Sequence, residues 1–202
     1  KEFWPYRTST HELGELRSVS ITTPKSWERY GIHALEAVYP ILGPGFVSAR
    51  NSGTMERNLV HLKHECGADV VVVASSDMYG AFGALTLGGT RDHVAVSFRD
   101  TFYAFKSQLL GFVAFLQTGQ RPFPFSETVE LMKIVIAGIR SREEDHREVF
   151  LSEIAGEDAR PHLAPLFFDI DAENDLDKAL LWARTMVEFF VSQLGLSAPA
   201  VR

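Results

Sequence analysis

Between residues 46 and 98 the chain reads as a succession of strands, and just after residue 100 the apolar spacing changes to that of helices. That switch restricts the possible folds more than any other feature. Phe-Val-Ser-Ala-Arg-Asn-Ser at 46–52, Asn-Leu-Val-His-Leu-Lys-His at 58–64 and Ala-Asp-Val-Val-Val-Val-Ala at 68–74 are strand candidates, with Glu65-Cys66-Gly67 as a turn. Residues 85–87 and 94–98 flank Gly88-Gly89-Thr90-Arg91-Asp92, a hairpin connection. The run as a whole predicts an antiparallel meander. Upstream, Gly14-Glu15 opens a further alternating segment at 16–22.

Phe102, Phe105, Leu109, Phe112, Val113 and Leu116 then recur at helical spacing, and Gly119 is a stop signal. After the rigid Arg121-Pro122-Phe123-Pro124-Phe125, Ser126 is expected to cap a helix carrying Glu127 and Glu130 in its first turn. Leu131, Ile134, Val135, Ile136 and Ile139 make that helix apolar around much of its circumference, so it is expected to be buried on several sides, with Gly138 admitting a close neighbour. Residues 140–147 read as a charged, solvated helix end, and 148–154 as a closing strand. Between residues 176 and 194 Leu176, Leu180, Val187 and Leu194 belong to the apolar stripe of an amphipathic helix. The order predicts an α+β fold: an open, largely antiparallel sheet with helices on one face.

The 202 residues suffice for one core, expected over 1–155, with 156–202 as a loop and helical extension. A formal charge of −6, a pI near 5.6 and scattered Lys and Arg exclude an electrostatic nucleic-acid footprint. No apolar run approaches the ~20 residues of a membrane span, and there is no signal-peptide pattern. Cys66 is the single cysteine, which fits a reducing compartment, and a cytoplasmic location is expected. The chain begins at Lys1 rather than Met, as a fragment or processed product would.

The chemistry is concentrated in residues 30–43, Tyr-Gly-Ile-His-Ala-Leu-Glu-Ala-Val-Tyr-Pro-Ile-Leu-Gly. At 3.6 residues per turn, Gly31, Leu35, Val38, Tyr39 and Leu42 share one side and His33 lies nearly opposite. Pro40 should kink or end the helix, and Gly43 suits its C-terminal cap. His33 is then either a solvated surface histidine or a residue presented to a ligand. His61, His64 and Cys66 have no closing ligand pair, and on a strand the two histidines point to opposite faces, so they read as structural. The glycines at 80, 83, 88 and 89 contain no dinucleotide or phosphate-loop pattern. The acids between 169 and 177 lack the spacing of a calcium loop. No serine-nucleophile elbow is present.

Phe123-Pro124-Phe125-Ser126-Glu127-Thr128, Gly138-Ile139-Arg140-Ser141-Arg142-Glu143 and the segment 149–154 together resemble the end of the C-terminal domain of the glucose–fructose oxidoreductase, inositol dehydrogenase and MocA family. Gly14-Glu15-Leu16 and the stretch 30–43 resemble its beginning, so the likeness spans about residues 12–155 in order. It implies a dihydrodipicolinate-reductase-like α+β domain that holds substrate beside a nicotinamide carried by a separate Rossmann domain. The family's Asp-x-x-x-His pattern places its histidine at His33, while Arg29 stands where the aspartate would be. The Glu-Lys-Pro motif of the family's first domain is missing from this sequence.

The resemblance thus implies the substrate-binding and oligomerisation domain of an NAD(P)-dependent oxidoreductase acting on a sugar, polyol or related small hydroxy compound. His33 would be catalytic, and Lys25, Trp27, Arg29 and Tyr30 would contact substrate. NAD or NADP belongs to the full-length protein, and none is expected on this chain alone; the sheet is expected to build a homo-oligomer, with neither nucleic acid nor membrane as partner. The alternative is a non-catalytic binding or scaffold domain, homo-oligomeric and lacking a cofactor domain. A βαβ segment of ~120–150 residues upstream in the gene would favour the enzyme.

Overall fold

The structure, a computed structural model, describes residues 12–79, 84–97 and 100–155. The chain divides into two compact units, Lys1–Ala159 and Arg160–Arg202, and every described residue lies in the first. The amphipathic stripe at 176–194 and the acids at 169–177 lie outside the described residues.

Seven strands form one sheet: β1 (Leu16–Pro24), β2 (Phe46–Asn51), β3 (Arg57–His64), β4 (Asp69–Ser75), β5 (Ala84–Gly89), β6 (His93–Ser97) and β7 (Val149–Phe150), in the order β6-β5-β1-β4-β3-β2-β7. The strand segments are those predicted, but the continuous meander is not. β2, β3 and β4 pair antiparallel in sequence, yet β4 and β5 are separated by β1, which runs parallel to β4 and antiparallel to β5. Periodicity locates a strand; its neighbours are chosen by non-local burial. The closing strand is also shorter than predicted: β7 has two residues and passes into a 3₁₀ turn at Leu151–Glu153.

Helices α1 (Trp27–Leu42) and α3 (Phe125–Glu143) cover one face of the sheet, α1 over β1 and β4 and α3 over β2. Val19 and Ile21 of β1, Val60 and Leu62 of β3, Val70 and Val72 of β4, and Leu85 and Leu87 of β5 point into this layer. The two helices meet around Trp27. Its indole is fully buried and donates from Nε1 to the carbonyl of Val135 at 2.9 Å. Two glycines make the space: a Cβ on Gly31 or on Gly138 would lie 2.5 Å from the ring. The close approach expected at Gly138 is therefore to this tryptophan.

α3 begins at Phe125, so Ser126 sits inside its first turn and Pro124 holds the cap position. Glu130 reaches out of the helix instead of serving its dipole. Its carboxylate accepts from the backbone N–H of Gly45 at 2.8 Å and of Phe46 at 2.7 Å, and from the Tyr39 hydroxyl at 2.9 Å. Burial, then Glu130, push the Tyr39 hydroxyl well above the ordinary tyrosine range. The end of α3 is not uniformly solvated either. Ser141 is buried, accepting from the Asn51 N–H at 2.9 Å and donating to the Arg147 carbonyl at 2.6 Å.

α2 (Thr101–Thr118) ends at Gly119, φ 69°, as the sequence predicts, and its start is capped by the Asp100 carboxylate on the Tyr103 N–H, which the sequence reading did not include. It has no extensive packing partner among the described elements, and Phe102, Phe112 and Leu116 are exposed. No helix among the described residues is long and apolar enough to cross a membrane.

Candidate functional site

β1 delivers the chain to α1 through Lys25 and Ser26. Lys25 adopts φ 65°, a left-handed conformation uncommon for a residue with a side chain. The Ser26 backbone is extended, as at a helix N-cap, but its side chain makes no capping bond. α1 then buries Trp27, Gly31, Ala34, Leu35, Val38, Tyr39 and Ile41. Leu42 is only half-buried, and the helix passes through Pro40 to end against Gly43 at φ 79°. Pro40 therefore marks the last turn and does not stop the helix before it.

His33 projects from the other side, its side chain 42% exposed. Its Nδ1 is 3.0 Å from Glu36 Oε2. An ionised carboxylate only accepts, so Nδ1 carries the proton and the basic lone pair of the neutral ring is on Nε2. The Tyr30 ring meets His33 edge to face with centroids 5.3 Å apart. Lys25 Nζ donates to the Tyr30 hydroxyl at 2.7 Å and lies 4.2 Å from that ring's centroid. Arg29 is exposed, one helical turn before His33. Lys25, Tyr30 and His33 thus form a connected row, and Arg29 shares their side of the helix. Trp27 does not: full burial between α1 and α3 removes it from the surface where a substrate contact was expected.

Two residues of this region are missing from the sequence reading. Glu36 orients His33, and its i,i+3 spacing was the available signal. Glu28 turns inward and forms an ion pair with Arg142 of α3, the side chains being 21% and 10% exposed. Arg142 NH1 also donates to Asn58 Oδ1 at 2.8 Å, where Asn51 Nδ2 donates at 2.9 Å. This buried polar group ties the first turn of α1 to the last turn of α3. Nothing local in the sequence marks it, because its members come from four elements.

His61 and His64 do diverge: His61 Nε2 meets Asp69 Oδ1 at 2.8 Å on the open face, and His64, buried, meets the Pro44 carbonyl at 3.1 Å. Among the described residues no group of three His, Cys, Asp or Glu side chains gathers to hold a metal. The β1–α1 connection, Lys25-Ser26, contains no glycine turn of the kind that cradles a dinucleotide phosphate.

No protein-family model matches the chain, and no curated protein matches it. Solved structures do. The myo-inositol dehydrogenase of Corynebacterium glutamicum superposes with a TM-score of 0.58 at 18% identity, over 69% of this chain and 57% of that one. The myo-inositol dehydrogenase of Lactobacillus casei, in complex with NAD(H) and myo-inositol, gives 0.59 at 14% identity over 71% and 56%. An Agrobacterium radiobacter oxidoreductase in complex with NAD+, L-tartaric acid and magnesium gives 0.53 at 15% identity over 71% and 59%. Two of the three are myo-inositol dehydrogenases and the third an oxidoreductase, and the α+β fold described above is shared with them. The chain spans less than three fifths of the length of each.

Proposed function

We propose that this chain is the substrate-binding and oligomerisation domain of an NAD(P)-dependent oxidoreductase acting on a small hydroxy compound. The observation that carries the reading is His33, exposed on α1 with Nδ1 held by Glu36, in a fold shared with inositol dehydrogenases. In this reading Nε2 of His33 takes the proton of the hydroxyl being oxidised, Glu36 holds the ring in the basic tautomer and supports the imidazolium that results, and Lys25, Arg29 and Tyr30 grip the substrate. Hydride acceptance belongs to a nicotinamide held outside the described residues. Ligands of the structural neighbours include a neutral cyclitol and a hydroxy acid, both small and rich in hydroxyls.

His33→Ala in the full-length protein is expected to lower turnover about 10²–10⁴-fold, the usual contribution of general acid–base help. Its melting curve should stay in place, because the side chain lies opposite the buried face of α1. Unchanged turnover would return His33 to the surface histidines.

A second reading, a non-catalytic binding or scaffold domain, is favoured by Arg29 in place of the aspartate. Absence of NAD(P)-linked turnover in the intact protein, with the His33 site folded, would select it.

A further inference from the structure

We propose that Arg142 is a positioning residue: through Glu28 it fixes the first turn of α1, and with it the turn at Lys25, so that the row Lys25, Tyr30 and His33 is held in place for a substrate. This rests on the reading of α1 as the substrate helix and brings a residue of α3 into it.

The start of α1 is not fixed in the usual way. Ser26 has the extended backbone of an N-cap, but its side chain makes no capping bond. Lys25, just before it, stands at φ 65°, a conformation unfavourable for a residue with a Cβ. Such a backbone persists only where the surrounding structure holds it. Trp27, fully buried, supplies that hold on one side. Glu28 supplies it on the other, turned inward onto Arg142.

Arg142 is itself firmly seated. Its side chain is 10% exposed, and NH1 donates to Asn58 Oδ1 at 2.8 Å. The same oxygen accepts from Asn51 Nδ2 at 2.9 Å, and Asn58 Nδ2 donates to the Met55 carbonyl at 3.2 Å. Asn51 Oδ1 in turn accepts from the Gly53 N–H at 3.1 Å. Both asparagines are buried, so the guanidinium rests on the β2–β3 turn and leaves NH2 to meet Glu28. Both Glu28 oxygens are shut off from water, and among the described residues no neutral donor serves them. Their counter-charge is Arg142. A buried ion pair adds little stability over apolar side chains of similar volume, but its planar fork accepts a carboxylate in few orientations. What this pair contributes is placement.

Arg142→Met alone leaves the Glu28 carboxylate buried without its counter-charge and should lower the melting midpoint by about 10 °C. Adding Glu28→Leu should bring the midpoint back to within about 3 °C of the parent, since Asn58 Oδ1 keeps its bond from Asn51. In the 202-residue parent, Lys25 Nζ lies 4.2 Å from the Tyr30 ring centroid, so the adjoining methylene protons carry an upfield ring-current shift in NMR spectra. The double variant should lose that shift although its fold is retained. Arg142→Lys keeps the charge without the fork and should lose it too. D-glucitol and D-gluconate, a neutral and an acidic probe, are then titrated against the Lys25 and His33 signals. Half-saturation should need about tenfold more of either in the double variant than in the parent, as misplacement of a binding row entails.

A double variant, or an Arg142→Lys chain, that keeps both the ring-current shift and the parent's half-saturation overturns the inference and leaves the substrate-helix reading standing. If neither probe disturbs Lys25 or His33 in the parent, the substrate-helix reading falls and takes the positioning role with it.

Discussion

Trp27 shows how a single side chain sets the distance between two helices. Its indole fills the gap between Gly31 on its own helix and Gly138 on α3, so the two glycines and the ring form one steric unit. Replacing Gly138 by Ala should raise helix propensity by about 1 kcal/mol. The added methyl would nevertheless lie 2.5 Å from Nε1, on a ring anchored to the Val135 carbonyl. Overpacking of this kind costs about 1–3 kcal/mol, and with an anchored ring as the neighbour it should outweigh the propensity gain, so a net loss is expected. Trp27→Phe removes the indole Nε1 edge that faces Gly138, and the double variant should be less destabilised than the two single changes added together. Urea melts of the four proteins measure this, and strict additivity would show that the glycine is there for another reason.

Among the elements, the end of α3 is held by charge. Arg140 Nε donates to Glu144 Oε1 at 2.6 Å, Arg147 pairs with the same carboxylate, and Arg147 NH2 donates to Glu153 Oε2 at 2.9 Å in the 3₁₀ turn. Hydrogen bonds from Arg140 hold the Glu144 carboxyl below the usual range, and those from Arg147 do the same for Glu153. Glu148 is lowered by the Ser48 hydroxyl and then by Lys63, and Asp77 by Ser75 and then Arg57. A carboxyl whose folded pKa is depressed stabilises the fold above its unfolded value of about 4, and that stabilisation is lost as pH falls through the folded value. The melting midpoint should therefore be level from pH 7 to about 5 and fall below about 4. Arg147→Met releases Glu144 and Glu153 toward ordinary values, so its acid loss should be shallower. An unchanged acid limb would mean that the network does not set it.

For the whole molecule, the question is the sheet face left open by α1 and α3. Val70 and Val72 lie in the core on the helix side of the sheet, and Val94 packs half-buried against it. The open face is mixed. Thr22, Val73 and Leu59 lie in one row across β1, β4 and β3, and Ser20, Val71, His61 and Arg50 in the next, reaching β2. Val47, Leu59 and Phe150 are exposed there. We propose that a second copy pairs on this face, the commonest symmetric solution for an apolar row flanked by polar ones. Light scattering at micromolar concentration should give twice the 22.6 kDa chain mass or a higher even multiple. Leu59→Arg should shift it to the monomer, and a monomeric parent would remove the sheet from consideration.

The amino-acid order by itself determined what depends on local periodicity: the strands at 16–22, 46–52, 58–64 and 68–74, the helical phase that puts His33 opposite Leu35 and Val38, and the glycine ends of α1 and α2. Each follows from backbone geometry within a few residues, and so does the likeness carried by 30–43 and 123–143. Tertiary structure decided what depends on distant partners. It inserted β1 between β4 and β5, moved Trp27 from the expected site into the core, and turned Arg142 from a solvated helix end onto Glu28. It also made Glu130 a clamp on the loop after α1. The spacing of residues along a chain specifies which side of an element they occupy. Which side meets protein and which meets water depends on the burial of segments far apart in sequence, and only the closed fold settles that.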